Sequence, residues 1–114
     1  MTSHIVLIKP RADLTPAERQ AFIAAFERAV RDIPSVRRVR VGRRVVHGAA
    51  YEAGMPDSAD YAAVIDFDDL EGLQAYLRHP AHEPLGALFY ESLSSGLVFD
   101  YEMGGLAELS KILS

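Results

Sequence analysis

The segment Ile5-Val6-Leu7-Ile8 is apolar throughout and ends at Lys9-Pro10. Its β-branched residues favour an extended backbone, and proline, which has no amide hydrogen to donate, ends such a strand. Because neighbouring side chains of a strand point to opposite faces, Ile5 and Leu7 lie on one face and Val6 lies on the other. The segment therefore predicts a strand in a sheet whose two faces are both apolar.

The segment Leu97-Val98-Phe99-Asp100-Tyr101-Glu102 predicts another strand with apolar groups on both sides. Two further strands are predicted between these segments. Residues 36–46 alternate valine with arginine until Gly42, where we expect a β-bulge, and residues 61–67 run from tyrosine to phenylalanine. Residues 48–60 form the one long connection, and a connection of that length predicts a mobile or functional loop.

Helix signals separate the predicted strands. Thr15-Pro16-Ala17-Glu18 combines a cap residue, a proline at the first helical position and a glutamate three residues after the cap. Asp68-Asp69-Leu70-Glu71 repeats the cap and the glutamate, and predicts a second helix that ends before His79-Pro80. Pro84 opens a further helical piece, which we expect to close at Ser94-Ser95-Gly96.

The order βαββαβ, with the second helix in two pieces, is the ferredoxin-like arrangement of an α+β domain with a four-stranded antiparallel sheet. Residues 1–103 are expected to form this domain, followed by an amphipathic tail at residues 104–114. Two helices cover only one face of such a sheet, so the apolar second face predicts a homodimer. The alternative is a monomer whose own tail folds over that face.

Composition limits the class of protein. The chain has 114 residues, of which 49% are hydrophobic and 25% charged, and this suits one globular domain. Its net charge of −4 argues against nucleic acids and anionic membranes as partners. The absence of cysteine excludes disulfides, thiolate metal sites and thiol nucleophiles. With no visible secretion signal or membrane span, a cytoplasmic location is expected.

The segment Tyr76-Leu77-Arg78-His79-Pro80-Ala81-His82 brings a tyrosine and two histidines to the helix break. Histidine transfers protons near neutral pH, and a tyrosine hydroxyl orients a base or binds a substrate oxygen, so the segment predicts acid–base chemistry. In the alternative interpretation Tyr76 packs at the boundary between helix and sheet, while His79 and His82 cap neighbouring helix ends. The spacing of the two histidines also suits metal ligands, but Pro80 interrupts the helix and no third ligand is evident, so no metal is expected.

Residues 4–102 resemble the stress-responsive dimeric α/β-barrel (Dabb) family. The resemblance rests on His4-Ile5-Val6-Leu7, Ile33-Pro34, the Tyr76–His82 segment with its His-Pro-Ala-His end, and Phe99-Asp100-Tyr101. It implies that residues 1–103 are a Dabb domain and that two copies form a dimeric α/β barrel.

The resemblance to cofactor-free polyketide cyclases of this family also implies residue roles. His82 corresponds to the base of an intramolecular aldol condensation, and Tyr76 corresponds to its assisting tyrosine. Tyr61 stands where such an enzyme has a further pocket histidine, so the resemblance implies a different pocket shape and leaves the substrate open. No cofactor is expected, and the implied ligand is a medium-sized, partly apolar carbonyl or phenolic compound. Its binding positions fall on His4, Phe22, Phe26 and Tyr61.

Two other functions are compatible with the sequence, namely a non-catalytic structural or stress-related dimer and a cofactor-independent monooxygenase. An arginine-rich run on the second strand suits either an acidic ligand, such as the phosphates of coenzyme A, or a solvated face paired with acidic residues. The run consists of Arg37, Arg38, Arg40, Arg43 and Arg44.

Overall fold

In the computed structural model, which describes residues 1–114, the chain forms one four-stranded sheet with helices against one face. The strands are β1 (Thr2–Pro10), β2 (Arg38–Arg43), β3 (Tyr61–Phe67) and β4 (Leu93–Glu102). The helices are α1 (Pro16–Asp32), α2 (Leu70–Arg78), α3 (Glu83–Ser92) and the short α4 (Leu109–Ile112).

The sheet has the strand order β2-β3-β1-β4, and all three pairings are antiparallel. Helix α1 connects β1 with β2, and the broken pair α2 and α3 connects β3 with β4. This is the split βαβ arrangement, so the predicted α+β class and ferredoxin-like fold are confirmed.

The helix starts follow from local hydrogen bonds. Thr15 and Glu18 form the predicted capping box, because the Glu18 amide donates to Thr15 Oγ1 at 3.1 Å and the Thr15 amide donates to Glu18 Oε1 at 3.0 Å. At α2 the cap is Asp69, whose Oδ1 accepts from the Gly72 amide at 2.9 Å. Asp68, the residue expected to cap this helix, instead pairs with Arg37.

Strand β2 is shorter and more regular than its sequence predicts. It ends at Arg43 rather than Val46, and Gly42 pairs with Ala62 in an unbroken register, so the predicted bulge at Gly42 is wrong. The register shift of the sheet lies instead at Lys9 and Pro10, where proline has no amide hydrogen for the neighbouring strand.

The predicted helix end at residues 94–96 is also wrong, because β4 begins at Leu93 directly after α3. Ser94 donates from its hydroxyl to the Lys9 carbonyl at 3.1 Å, which holds this residue against β1. Gly96 lies beneath the ring of Phe89, and a Cβ atom there would come within 2.6 Å of that ring. Both contacts are tertiary contacts, which a local helix signal in the sequence does not reveal.

The second sheet face carries no helix. Leu97, Phe99 and Tyr101 lie on it, opposite Leu7, Ile5 and Ser3 of β1, and they are 37%, 46% and 50% exposed. The molecule measures only 17 Å along its shortest axis, which fits two layers. The tail does not cover this face with its apolar side, since its apolar residues Leu106, Leu109, Ile112 and Leu113 are between 47% and 86% exposed. None of the helices has the length and apolar character needed to cross a membrane.

Candidate active site

A cavity of about 680 Å³ lies between the sheet and the helices. Of the 20 residues that line it, 15 are hydrophobic. This volume is within the range of about 300–1,000 Å³ that is usual for small-molecule sites. All the site residues predicted from the sequence lie in its wall, namely His4, Phe22, Phe26, Tyr61, Tyr76 and His82.

Strand and helix periodicity bring these side chains together. His4, Val6 and Ile8 alternate along β1 and therefore point into the same cavity. Phe22 and Phe26 are one turn apart on α1, so both face the sheet. The cavity is thus a gap in the packed layer that the fold creates between α1, α3 and the sheet.

The two histidines of the helix break have different environments. His79 caps the 3₁₀ turn Pro80–His82, because its Nδ1 accepts from the Ala81 amide at 3.0 Å. His82 stands at the start of α3 but makes no side-chain capping bond, and its ring lines the cavity. The capping interpretation is therefore right for His79 and wrong for His82.

Tyr76 lies at the centre of an aromatic group. Its ring centroid is 4.8 Å from that of His82, 5.9 Å from that of His4 and 5.3 Å from that of Phe67. Its hydroxyl has no hydrogen-bond partner in the protein. The only fully buried polar side-chain atom without a partner is Ser35 Oγ, so the Tyr76 hydroxyl is not fully buried. The Tyr76 hydroxyl therefore opens into the cavity that Tyr76 lines.

A second pair involves His4, whose Nδ1 lies 2.6 Å from Asp100 Oδ1. The two residues are directly opposite each other on β1 and β4. A carboxylate accepts and does not donate, so Nδ1 of His4 carries the hydrogen. In the neutral ring Nε2 is then the nitrogen that accepts. This carboxylate was not among the site residues predicted from the sequence, although an acidic residue within the apolar segment 97–101 was a visible signal.

Burial sets the protonation of the two central groups. Burial lowers the pKa of His82 below its ordinary value, and the nearby His4 charge lowers this pKa further. Burial also raises the pKa of Tyr76 to about 12. At neutral pH the site accordingly presents a neutral imidazole and a neutral phenol, which are a proton acceptor and a hydrogen-bond donor.

The wall of the cavity contains no Asp, Glu or Lys, and its one permanent charge is that of Arg43. Nowhere in the chain do three His, Asp or Glu side chains lie together as metal ligands would. Chemically, the cavity can hold an apolar molecule with a carbonyl or hydroxyl group close to Tyr76 and His82.

Fold and site together define a small ferredoxin-like α+β protein with an apolar cavity between its helices and its sheet. The model of the Stress responsive A/B Barrel Domain (Dabb) family matches residues 2–103. The chain therefore belongs to the Dabb family, as its resemblance predicts.

Among similar proteins is olivetolic acid cyclase from Cannabis sativa, which is 24% identical over 98 residues, or 86% of this chain and 92% of that enzyme. Hydroxynitrile lyase from Passiflora edulis superimposes with a TM-score of 0.75 at 14% identity, covering 90% of this chain and 93% of the lyase. A dimeric ferredoxin-like protein of unknown function from Thermobifida fusca has a TM-score of 0.69 at 24% identity, with 90% of each chain covered. The structural likenesses establish the fold alone.

Proposed function

We propose that this protein is a homodimeric, cofactor-free enzyme that binds a medium-sized, partly apolar carbonyl or phenolic compound and removes a proton next to a carbonyl group. One observation carries the proposal: His82 and Tyr76, both without hydrogen-bond partners, meet in a cavity whose wall is otherwise mainly apolar. Unbonded polar groups in an apolar cavity are what a substrate with a matching polar group would satisfy.

In the proposed reaction the neutral His82 ring accepts the α-proton of the substrate. The Tyr76 hydroxyl donates a hydrogen bond to the carbonyl oxygen, which becomes negative as the enolate forms. The enolate carbon then attacks a second carbonyl carbon of the same molecule, and the imidazolium returns its proton to the new alkoxide. This sequence is an aldol cyclisation, and it needs no cofactor because every proton and electron pair stays within the substrate and His82.

Two findings support a catalytic role over that of a non-catalytic structural domain. A purely structural domain requires a helix–sheet layer packed with side chains, whereas this layer contains a cavity of about 680 Å³. Similar proteins include a cyclase and a lyase. No residue of the site singles out monooxygenase chemistry, so the proton-transfer function is preferred.

Exchange of α-protons for deuterium tests this function. Ethyl 3-oxooctanoate, an alkyl 1,3-dicarbonyl compound, would be incubated in D₂O and its exchange rate followed by NMR above the buffer rate. We expect the protein to accelerate exchange and His82→Ala to reduce that acceleration by about 10²- to 10⁴-fold. His47→Ala is the matched control, since His47 lies outside the cavity wall and should leave the rate unchanged. Equal rates for both variants would remove His82 from the mechanism.

The homodimer part of the proposal rests on the bare sheet face. Leu97, Phe99 and Tyr101 expose on it apolar surface that a second copy, related by a twofold axis, would cover. We expect light scattering at micromolar concentration to give twice the mass of the chain, and Phe99→Glu to give the monomer mass. Leu70→Glu changes an apolar residue that is 57% exposed on the helical layer, and it should leave the mass unchanged. A wild-type monomer would contradict the dimer.

A further inference from the structure

The five arginines between residues 37 and 44 fall into different environments. Arg37 is bound to Asp68 at 3.0 Å and to the Pro34 carbonyl at 2.7 Å, so it fastens the turn before β2. Arg40 lies 4.0 Å from the buried Asp66 carboxylate. These two residues fit the solvated, paired face that the sequence suggests. Of the five arginines, only Arg43 lies in the cavity wall.

Arg43 points to the cavity because of its position on β2. Val39 packs against the core, Val41 lines the cavity, and Arg43 is the next residue on that face of the strand. Its cross-strand neighbour Tyr61 is also in the cavity wall. The guanidinium makes no ion pair or hydrogen bond with another residue, in contrast to that of Arg37.

The cavity has a buried end and an exposed end, and Arg43 belongs to the second. At the buried end, Tyr76 is 1% exposed and His4 is 5% exposed. At the other end Arg43 is exposed together with Tyr61 and Tyr90. The sheet register separates the two ends: Arg43 lies level with Tyr61 and Ile8, whereas His4 lies four residues further along β1, level with Ile65.

We propose that Arg43 binds the carboxylate of the substrate, so that the ligand is an oxo acid with its carbonyl at Tyr76 and His82 and its acid group at the exposed end of the cavity. This inference rests on the proposed function, whose substrate class it narrows. A guanidinium matches a carboxylate with two parallel N–H donors. A single arginine with no second cation in the wall balances one negative charge, which favours a carboxylate over a doubly charged phosphate.

Isothermal titration with a matched ligand pair tests the inference. Decanoate and decanamide have the same chain and the same number of heavy atoms, and they differ in charge. We expect the wild-type protein to bind decanoate about fivefold more tightly than decanamide at low salt, since a partly exposed charge pair contributes about 1 kcal/mol. The preference should shrink at 0.5 M salt because exposed charges are screened.

Variants locate the charge that is responsible. Arg43→Gln should bind both ligands equally, with its decanamide affinity unchanged, whereas Arg43→Lys should keep part of the preference. Arg44→Gln is the matched control, because it removes the same charge from the next residue, which is not in the cavity wall. Loss of the preference in Arg44→Gln as well would overturn the assignment to Arg43. Melting temperatures equal to that of the wild type establish that the variants are folded.

The outcomes separate this inference from the proposed function. If the wild-type protein binds both ligands equally, the carboxylate inference fails while an apolar binding cavity is retained. If neither ligand binds, the carboxylate inference fails, and the deuterium-exchange assay decides the proposed function separately. If decyl phosphate binds more tightly than decanoate and depends on Arg43, the carboxylate is overturned in favour of a phosphoryl group.

Discussion

The layer between helices and sheet has two ends that are built in opposite ways. At one end Phe67, Leu73 and Ile33 are almost fully buried and fill the space between α1, α2 and the sheet. At the other end the same layer leaves a cavity of about 680 Å³. The filled end stabilises the fold, and this stability allows the other end to stay hollow, because an unfilled apolar space costs stability.

Tyr76 joins the two ends. Its ring packs on Phe67 at the filled end, while its hydroxyl opens to the cavity beside His82. A side chain that is 1% exposed has few rotamers available, so the hydroxyl is held in place before any ligand binds. The rigid part of the molecule thus positions the group that the proposed chemistry requires.

The largest expected effect is on stability and distinguishes the two ends directly. Phe67→Ala should lower the free energy of unfolding by about 3–5 kcal/mol, since the ring is completely buried and its removal leaves a cavity. Phe26→Ala removes a partly buried ring beside space that is already empty, and should cost about 1–2 kcal/mol. Urea unfolding measures both. Equal losses would mean that the two ends are packed alike.

The second expected effect is on turnover, and it concerns Tyr76, which lies between the filled end and the hollow end. Tyr76→Phe keeps the packed ring and removes a hydroxyl that has no protein partner. The free energy of unfolding should therefore change by less than about 1 kcal/mol, because the variant loses no hydrogen bond. Turnover in the deuterium-exchange assay should fall about 10- to 100-fold, because the enolate oxygen loses its donor. A stability loss as large as that of Phe67→Ala, with turnover retained, would make Tyr76 a packing residue.

Much of the fold follows from sequence signals that act locally. The capping box at Thr15 and the break at His79-Pro80 lie where the sequence predicts them, because the atoms that form them are close along the chain. The errors at Gly42 and at residues 94–96 have another origin. Gly42 is kept in register by β3, and Gly96 is kept extended by its pairing with β1 beneath Phe89. Such contacts between elements are not visible in a local pattern.

The candidate site likewise has a part that the sequence predicts and a part that it does not. The resemblance to the Dabb family predicts a pocket lined by six residues, and all six line one cavity, although their roles stay proposals. The hydrogen bond of His4 with Asp100 joins residues 96 positions apart, and it depends on the register between β1 and β4. The direction of the Arg43 side chain likewise depends on where β2 pairs with β3. Strand register was the missing information in both cases.

A third prediction uses pH. Because burial and the His4 charge lower the pKa of His82, we expect proton exchange to stay constant from pH 8 to below pH 6.5, and then to fall as one proton binds. Tyr76, with a pKa of about 12, stays protonated throughout, so the fall reports on the histidines. An NMR titration of the His82 ring should give the same midpoint. A midpoint above pH 6.5 would contradict a half-buried His82 that is neutral at pH 7.

The free energy of unfolding should also depend on the protonation of His82, and it should fall as the pH is lowered. A pKa that is lower in the folded state than in the unfolded state means that protonation favours unfolding. The contribution of His82 to the free energy of unfolding is therefore complete above pH 6.5 and is lost as the pH falls through its lowered folded pKa. His82→Gln, which does not titrate, should be less sensitive to acid over this interval in urea unfolding. Identical pH profiles for both proteins would contradict this linkage.

The smallest expected effect comes from Asp100, which is at the hollow end but contacts the proposed reaction centre only through His4. Asp100→Asn keeps an oxygen that can accept from His4 Nδ1 and removes the charge that strengthens this 2.6 Å hydrogen bond. Turnover should fall less than tenfold, and the ¹⁵N shifts of the His4 ring should show a smaller share of the Nδ1–H tautomer. A role in folding alone would lower the free energy of unfolding and leave that tautomer unchanged. If turnover instead falls as far as in His82→Ala, His4 with Asp100 would replace His82 as the proposed base, since the two imidazoles flank the same Tyr76 ring at 5.9 Å and 4.8 Å.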